Sequence, residues 1–303
     1  MSVVWESCAG GARVLRVLGD TPCPVVPHAV DGVPVVEIGP YCFADKPVTG
    51  GTLWPAGSAD THEITGNFVE EVTLPDAVRV IDSAAFYNCR RLRRVALGPT
   101  ADSFGSDLFT NCRSLQTLEL HADPGEPTGL RRLLVAISAD VTVAFTGGAR
   151  LFYPEYFELL DENTPAHIFN HSIEGEGYRM RQCFAPDGSL DFAAYDASFA
   201  QACVGESEEK LCKLALGRLC LPYALSDDAR ADYEFYLTAH PDAAFTLAIT
   251  ARDETAVRLL VGLALPTARA AAYCAQQGWS AGAALLLGRR HKAAKKTYDF
   301  DDL

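Results

Sequence analysis

The chain has 303 residues, of which 49% are apolar and 21% are charged, and its formal net charge is −13. This length predicts two or three globular domains with hydrophobic cores of their own, which excludes a largely disordered chain. An isoelectric point near 4.9 argues against nucleic acid as a partner, because phosphate neutralisation requires clustered lysine and arginine. No apolar run reaches the length that a membrane span needs.

The amino-terminal sequence and the cysteines favour a cytoplasmic protein. The first residues contain neither the basic segment nor the apolar run of a secretory signal. The ten cysteines are spread along the chain without any C-x-x-C pair, which predicts reduced thiols rather than a disulfide framework or a zinc cluster. The alternative is a secreted or cell-surface protein from which a signal peptide has been removed.

A repeat with a period of 23 residues lies in the first part of the chain. The segment Val72–Leu74 returns as Val95–Leu97 and again as Leu118–Leu120, and Phe86 returns as Phe109. Each copy can bury its apolar face only against a neighbouring copy, so the array predicts a solenoid of short strands. The cysteines at equivalent positions are then expected to pack in the core as small apolar residues.

An earlier copy of the repeat contains Ile38 and Phe43, which lie 43 residues before their counterparts. This distance exceeds the period by about twenty residues, so we expect an inserted surface loop near residues 46–67, rich in glycine and proline. Trp54 and His62 are candidate functional residues of that loop. The alternative is an idle flap with Trp54 packed against the solenoid.

The repeat unit also carries a family resemblance. Residues 80–97, V-I-D-S-A-A-F-Y-N-C-R-R-L-R-R-V-A-L, resemble the unit of BspA-like bacterial leucine-rich repeats, and the resemblance covers about residues 12–122. It implies a solenoid that binds another macromolecule through the outward residues of its strands. That expected contact surface consists of Glu71, Thr73, Arg94, Ala96, Thr117 and Glu119.

The repeat ends at a turn-rich segment after Leu120. Residues 133–137 and 141–145 are predicted to be β-strands, and a hairpin at Gly147-Gly148 leads from the second of them to residues 150–153. A small antiparallel sheet there would cap the solenoid. The sequence therefore predicts a solenoid over residues 1–122 and a connecting region of sheet and irregular structure over residues 123–198.

From Phe199 onward the apolar residues follow a helical period. Leu211, Leu214 and Leu219 lie on one stripe, and Ser226 is a helix cap signal. Helical pairs then recur about 25 residues apart, and the second resembles part of an ankyrin-type unit; the wider region resembles the tail of bacterial leucine-rich repeat proteins. An α-helical hairpin array over residues 199–303 is expected, so the fold class is α+β.

Two sequence features suggest chemistry or charge recognition. His167 and His171, four residues apart and followed by Glu174 and Glu176, could bind a metal if they share one helix face. The segment is not H-E-x-x-H, however, so polar loop histidines are the favoured interpretation. Arg90–Arg94 is the most basic run; we interpret it as a solvated surface that could select an acidic partner.

The predicted function is a non-enzymatic protein-binding or scaffold module with a protein partner. No phosphate-binding loop, dinucleotide fingerprint or nucleophile elbow is present in the sequence, so no catalytic residue, metal or cofactor is assigned. Two alternatives remain: a metal-dependent hydrolase using His167 and His171, and a secreted or surface adhesion protein.

Overall fold

The computed structural model describes residues 1–58, 62–163 and 168–293, and only the backbone at 160–163, 168–171 and 288–293. The chain divides into two compact units, Met1–Gln201 and Ala202–Leu303. The first contains sheets and short helices and the second contains helices, which confirms the α+β class. The finer division at residues 122 and 198 stays a prediction.

The elements follow the chain in a simple order. The strands are β1 (Ser2–Cys8), β2 (Gly11–Leu18), β3 (Ala29–Val30), β4 (Val33–Ile38), β5 (Thr52–Trp54), β6 (Glu71–Thr73), β7 (Val80–Ile81), β8 (Arg94–Leu97), β9 (Ser103–Phe104), β10 (Thr117–Leu120), β11 (Val141–Phe145), β12 (Ala149–Tyr153), β13 (Phe157–Asn163) and β14 (Ile168–Glu174). The helices are a 3-10 turn (Gly66–Phe68), α1 (Leu130–Val135), α2 (Gly177–Met180), α3 (Phe192–Ala197), α4 (Phe199–Gly205), α5 (Glu208–Cys220), α6 (Asp227–Ala239), α7 (Pro241–Thr250), α8 (Glu254–Gly262), α9 (Ala268–Gln276) and α10 (Ser280–Ala293).

Two sheets form the walls of the solenoid. Sheet A has the strand order β5-β1-β2-β4-β7-β9, with β3 beside β4, and sheet B has the order β12-β11-β10-β8-β6. In sheet A, Ile38 lies opposite Ile81, which lies opposite Phe104. In sheet B, Val95 lies between Val72 and Leu118. The predicted repeat register is therefore the pairing register of the parallel strands.

The core of the solenoid is a ladder of identical residue types. The rings of Phe43 and Phe86 stack with centroids 5.1 Å apart, and those of Phe86 and Phe109 lie 5.4 Å apart. The Cys89 thiol donates to the carbonyl oxygen of Phe43 at 3.1 Å, and the Cys112 thiol to that of Phe86 at 3.0 Å. Burial raises the pKa of Cys112 to about 12. These cysteines are core thiols, as the repeat predicted.

The insertion near residues 46–67 contains more structure than a surface loop. Its strand β5 pairs with β1, and Trp54 lies opposite Val3 and is half-buried. The His62 ring hydrogen-bonds the carbonyl oxygen of Gly19 through Nδ1 at 3.0 Å and meets the Phe68 ring edge-on at 4.5 Å. The insertion is thus attached to the solenoid at two places.

Residues 123–201 differ from the prediction in two respects. Residues 133–137, expected to be a strand, belong largely to helix α1, because a five-residue apolar run carries no period that separates helix from strand. Strand β11 is parallel to β10, while β12 pairs with β11 antiparallel as the hairpin predicts. Strands β11 and β12 therefore continue sheet B rather than forming a separate capping sheet.

A buried arginine holds this region together. Arg181 is 3% exposed, and its guanidinium donates to the carbonyl oxygens of Ile137 at 3.0 Å and Ala139 at 2.7 Å. The same group lies over the rings of Tyr153 and Tyr156. Burial lowers the pKa of Arg181 to about 10. One side chain thus satisfies carbonyl groups that the irregular backbone leaves without strand partners.

The helical unit follows the predicted apolar stripes. Leu211, Leu214 and Leu219 are buried on α5, and the Ser226 hydroxyl accepts a hydrogen bond from the backbone of Ala229 at the start of α6. Helical structure begins before Phe199, because α2 and α3 precede it. The ankyrin-like character of the helical pairs stays a prediction.

Candidate interaction surface

The predicted contact residues lie together on one face of sheet B. Residues alternate along each strand, so Val72, Val95 and Leu118 are buried in the core and their neighbours point to the opposite face. Strand pairing aligns these neighbours in two rows across the sheet. The first row is Glu71, Arg94, Thr117 and Thr142, and the second is Thr73, Ala96, Glu119 and Ala144. We call this surface the outer face of sheet B.

Arg94 connects three strands of this face. Its guanidinium lies 2.8 Å from the carboxylate of Glu119 on β10 and 3.4 Å from that of Glu71 on β6. Adjacent strands are about 4.8 Å apart, so an arginine on the middle strand can reach carboxylates on both sides. The three side chains are 29–36% exposed. They present an ordered charge pattern that a partner could contact.

The basic run at residues 90–94 is exposed as predicted but is not a free basic patch. Arg91 and Arg93 both pair with the carboxylate of Glu70, Arg93 at 2.9 Å. Arg93 also lies 3.8 Å from Glu71. Acidic residues one repeat earlier therefore neutralise much of the run. This arrangement corrects the expectation that the run selects an acidic partner by itself.

His121 extends the charged pattern past the end of β10. Its Nδ1 lies 2.7 Å from a carboxylate oxygen of Asp76, and its Nε2 lies 3.7 Å from Glu119. Together with the arginines, these groups form one chain of polar and ionic contacts across the outer face of sheet B. The sequence analysis missed Glu70, Asp76 and His121, although each flanks a repeat strand and extending the repeat register would have found them.

Ala96 is the one predicted contact residue that solvent does not reach. It is 0% exposed, because Thr73 and Glu119, which carry larger side chains, lie beside it in register on both neighbouring strands. A partner resting on this face would contact those neighbours. Ala96 is therefore buried between its larger neighbours on the face, which corrects its assignment as a contact residue.

The described backbone lacks the helix that the metal-binding alternative requires. His167 lies outside the described residues. Residues 168–174, which include His171, form strand β14 rather than the helix that an i, i+4 pair of ligands requires. Among the described residues there is no group of three or more histidine, cysteine or acidic side chains placed to hold a metal ion.

The helical unit contains a groove of about 410 Å³ between α7 and α9. Phe245 and Ile249 form part of its floor, and Tyr273 hydrogen-bonds Thr250 beside it at 3.2 Å. Asp242 and Arg269 form an ion pair at the groove. This groove was not predicted from the sequence, because its residues come from two separate helices and belong to no recognisable motif.

Comparison with known proteins assigns the repeats. Residues 65–125 match the family model described as BspA type leucine rich repeat region, in six copies. No curated protein and no solved structure matches the chain. In the part of the chain that the structure describes, no helix is long and apolar enough to cross a membrane.

Proposed function

Starting from residues 65–125 as a BspA-type leucine-rich repeat region, we propose that this protein is a non-enzymatic scaffold that binds a protein partner through the outer face of sheet B. The proposed contacts are Glu71, Thr73, Arg94, Thr117 and Glu119. Repeat solenoids present extended surfaces that suit macromolecular ligands. The proposal leaves out Ala96 because that residue is buried.

The observation that carries the proposal is the position of Arg94 between two carboxylates. Both ion pairs hold the arginine in the plane of the face, so a partner would meet side chains that are already ordered. Ordering such side chains on binding would otherwise cost about 0.5–1.5 kcal/mol each. The alternating charges also favour a partner with a complementary pattern, which gives orientation more than raw affinity.

We further propose that the protein acts in the cytosol. All ten cysteines are free, and those at 42, 89, 183, 212 and 274 are buried. Burial raises the pKa of Cys42 to about 12, so this thiol stays protonated and unreactive near neutral pH. A chain with this many free thiols suits a reducing compartment. Fractionation of the native host cells tests the location; recovery outside the cells would support the adhesion alternative.

The test compares two arginines in matched settings. Arg13 in sheet A, like Arg94, lies between carboxylates on two neighbouring strands, 2.9 Å from Glu6 and 2.7 Å from Glu37. Their side chains are 33% and 29% exposed. Proteins captured by the wild-type chain are identified, and the affinity of each purified candidate is then measured for Arg94→Glu and for Arg13→Glu.

We expect Arg94→Glu to weaken binding of the genuine partner at least tenfold, because three carboxylates would then meet on one face. Arg13→Glu also removes two surface ion pairs, but Arg13 lies in sheet A and not on the outer face of sheet B. This control variant should therefore leave the affinity within about twofold. Equal affinity for Arg94→Glu and the wild type, or a larger loss with Arg13→Glu, would reject the outer face of sheet B as the binding surface.

A further inference from the structure

The hairpin of β13 and β14 is a two-stranded sheet that shares no strand pairing with sheets A and B. No other strand in the described chain pairs with either of its outer edges. Phe157 is 56% exposed, Leu159 38% and Ile173 37%. Phe157 and Leu159 share one face of the ribbon, and Ile173, which lies opposite Glu158, is on the other. Apolar side chains are therefore exposed on both faces.

Isolated two-stranded ribbons are only marginally stable in water, and three or more strands are normally required. The outer edge of each seven-residue strand also presents a row of backbone donors and acceptors. Pairing with a further strand would satisfy those groups and shield the neighbouring apolar side chains. The marginal stability of the hairpin and the unpaired backbone groups at its edges both favour pairing with a further strand.

The other sheet edges of the chain are protected against such pairing. Strand β9 has two residues, β6 has three, and β5 has three and is followed at once by Pro55. At the edge strand β12, the Tyr195 hydroxyl accepts from the backbone N–H of Phe152 and donates to its carbonyl oxygen. Short length, proline and a covering side chain are the usual devices that block edge pairing. Strand β14 has seven residues and contains no proline or lysine.

Charge distinguishes the two edges of the hairpin. Strand β13, F-E-L-L-D-E-N, contains three acidic residues, so pairing it with a second copy of itself would place like charges close together. Strand β14, I-F-N-H-S-I-E, contains a single acidic residue at its end. In a chain with a net charge of −13, β14 is the edge of this hairpin at which self-pairing meets the least repulsion.

The sequence of β14 is also self-complementary in one antiparallel register. A two-fold axis through position 171 places position 169 of one strand opposite position 173 of the other, and both positions are apolar residue types. Position 168, an isoleucine, lies opposite Glu174, so the acidic residues of the two copies do not face each other. Cross-strand apolar pairs of this kind stabilise the pairing of two strands.

We propose that two copies of this protein associate through β14, antiparallel about a two-fold axis, to form a four-stranded sheet in the order β13-β14-β14-β13. The interface is isologous, as expected of a symmetric dimer. It involves neither the outer face of sheet B nor the groove of the helical unit, so it is independent of the proposed binding function.

Sedimentation velocity of the full chain over a range of concentrations tests the dimer. Ile173 and Leu159 provide a matched pair, because each is an exposed apolar residue of the hairpin with nearly the same exposure, 37% and 38%. Wild type and Leu159→Lys should sediment at twice the 32.7 kDa chain mass. Ile173→Lys should sediment as the single chain, because it places a lysine opposite apolar position 169.

A wild type that stays a single chain at its highest soluble concentration would overturn the proposal. So would a dimer that survives Ile173→Lys, or one that Leu159→Lys abolishes equally. Hydrogen exchange provides a second readout that does not depend on a variant. The backbone amides of β14 should become less protected on dilution of the wild type, whereas concentration-independent exchange there would contradict the dimer.

Discussion

The core ladder of the solenoid and the helix caps of the helical unit are stabilised over very different distances along the chain. In the solenoid, Phe86 stacks on rings 43 residues before it and 23 residues after it, and Arg94 pairs with carboxylates from neighbouring turns. In the helical unit, Ser226 caps α6 through Ala229, three residues later, and Lys213 pairs with Glu209 within one turn of α5. A substitution in the core ladder should therefore act across several turns of the solenoid, whereas one at a helix cap should act locally.

The largest expected effect follows from removing the middle ring of the core ladder. Phe86→Ala would leave a cavity between Phe43 and Phe109, and large-to-small core substitutions of this type cost about 3–5 kcal/mol. Denaturant unfolding followed by hydrogen exchange should show protection lost in the turns on both sides. Phe109→Ala, at a ring 8% exposed, should cost less; equal costs would contradict the central position of Phe86.

Alkaline pH should destabilise the solenoid through its buried thiols. Burial raises the pKa of Cys112 from 9.0 to about 12, so the folded state retains a proton that the unfolded state releases. The resulting stability is fully present below about pH 9 and is lost as the pH rises toward about 12. Denaturant titrations at about pH 8 and about pH 11 should show this fall.

The matched variants for that experiment are Cys112→Ala and Cys23→Ala. The first removes a half-buried thiol whose pKa is raised by burial, and it should make the pH dependence of the unfolding free energy shallower. The second removes an exposed thiol and should leave the wild-type slope. A slope that Cys112→Ala does not change would show that its thiol does not contribute to the alkaline transition.

The smallest expected effect lies in the helical unit. The Asp253 side chain accepts a hydrogen bond at 3.0 Å from the backbone of Ala256 at the start of α8. Asp253→Ala should cost about 1 kcal/mol, with hydrogen exchange increased around α8 and unchanged in the ladder of the solenoid. Thr255→Ala, an exposed substitution in the same turn, is the control. Loss of protection in the solenoid would contradict local stabilisation.

Sequence reasoning succeeded where the chain carries a period. The 23-residue spacing predicted the register of β6, β8 and β10, and with it the shared face of Glu71, Arg94 and Thr117. It could not predict that Ala96 is buried, because that depends on the size of side chains on neighbouring strands. Glu70, which pairs with the basic run, was missed because the repeat register was not extended to the residue just before β6.

Regions without a period were the ones predicted wrongly or missed. Strand β13 mixes acidic and apolar residues without strict alternation, so nothing in it indicates a hairpin with β14. Residues 133–137 contain an apolar run too short to distinguish helix from strand. Arg181 donates to carbonyl groups about forty residues earlier in the chain, which only the folded backbone brings together.

The most direct test of the binding account is photo-crosslinking from two matched threonines. Thr117 lies on the outer face of sheet B, and Thr52 lies on the edge strand β5 of sheet A. A photoreactive amino acid is placed at one or the other position of the full chain, and adducts with the partner are identified by mass spectrometry. The account predicts adducts from position 117 and none from position 52. Adducts from position 52 alone, or from neither position with the partner bound, would contradict it.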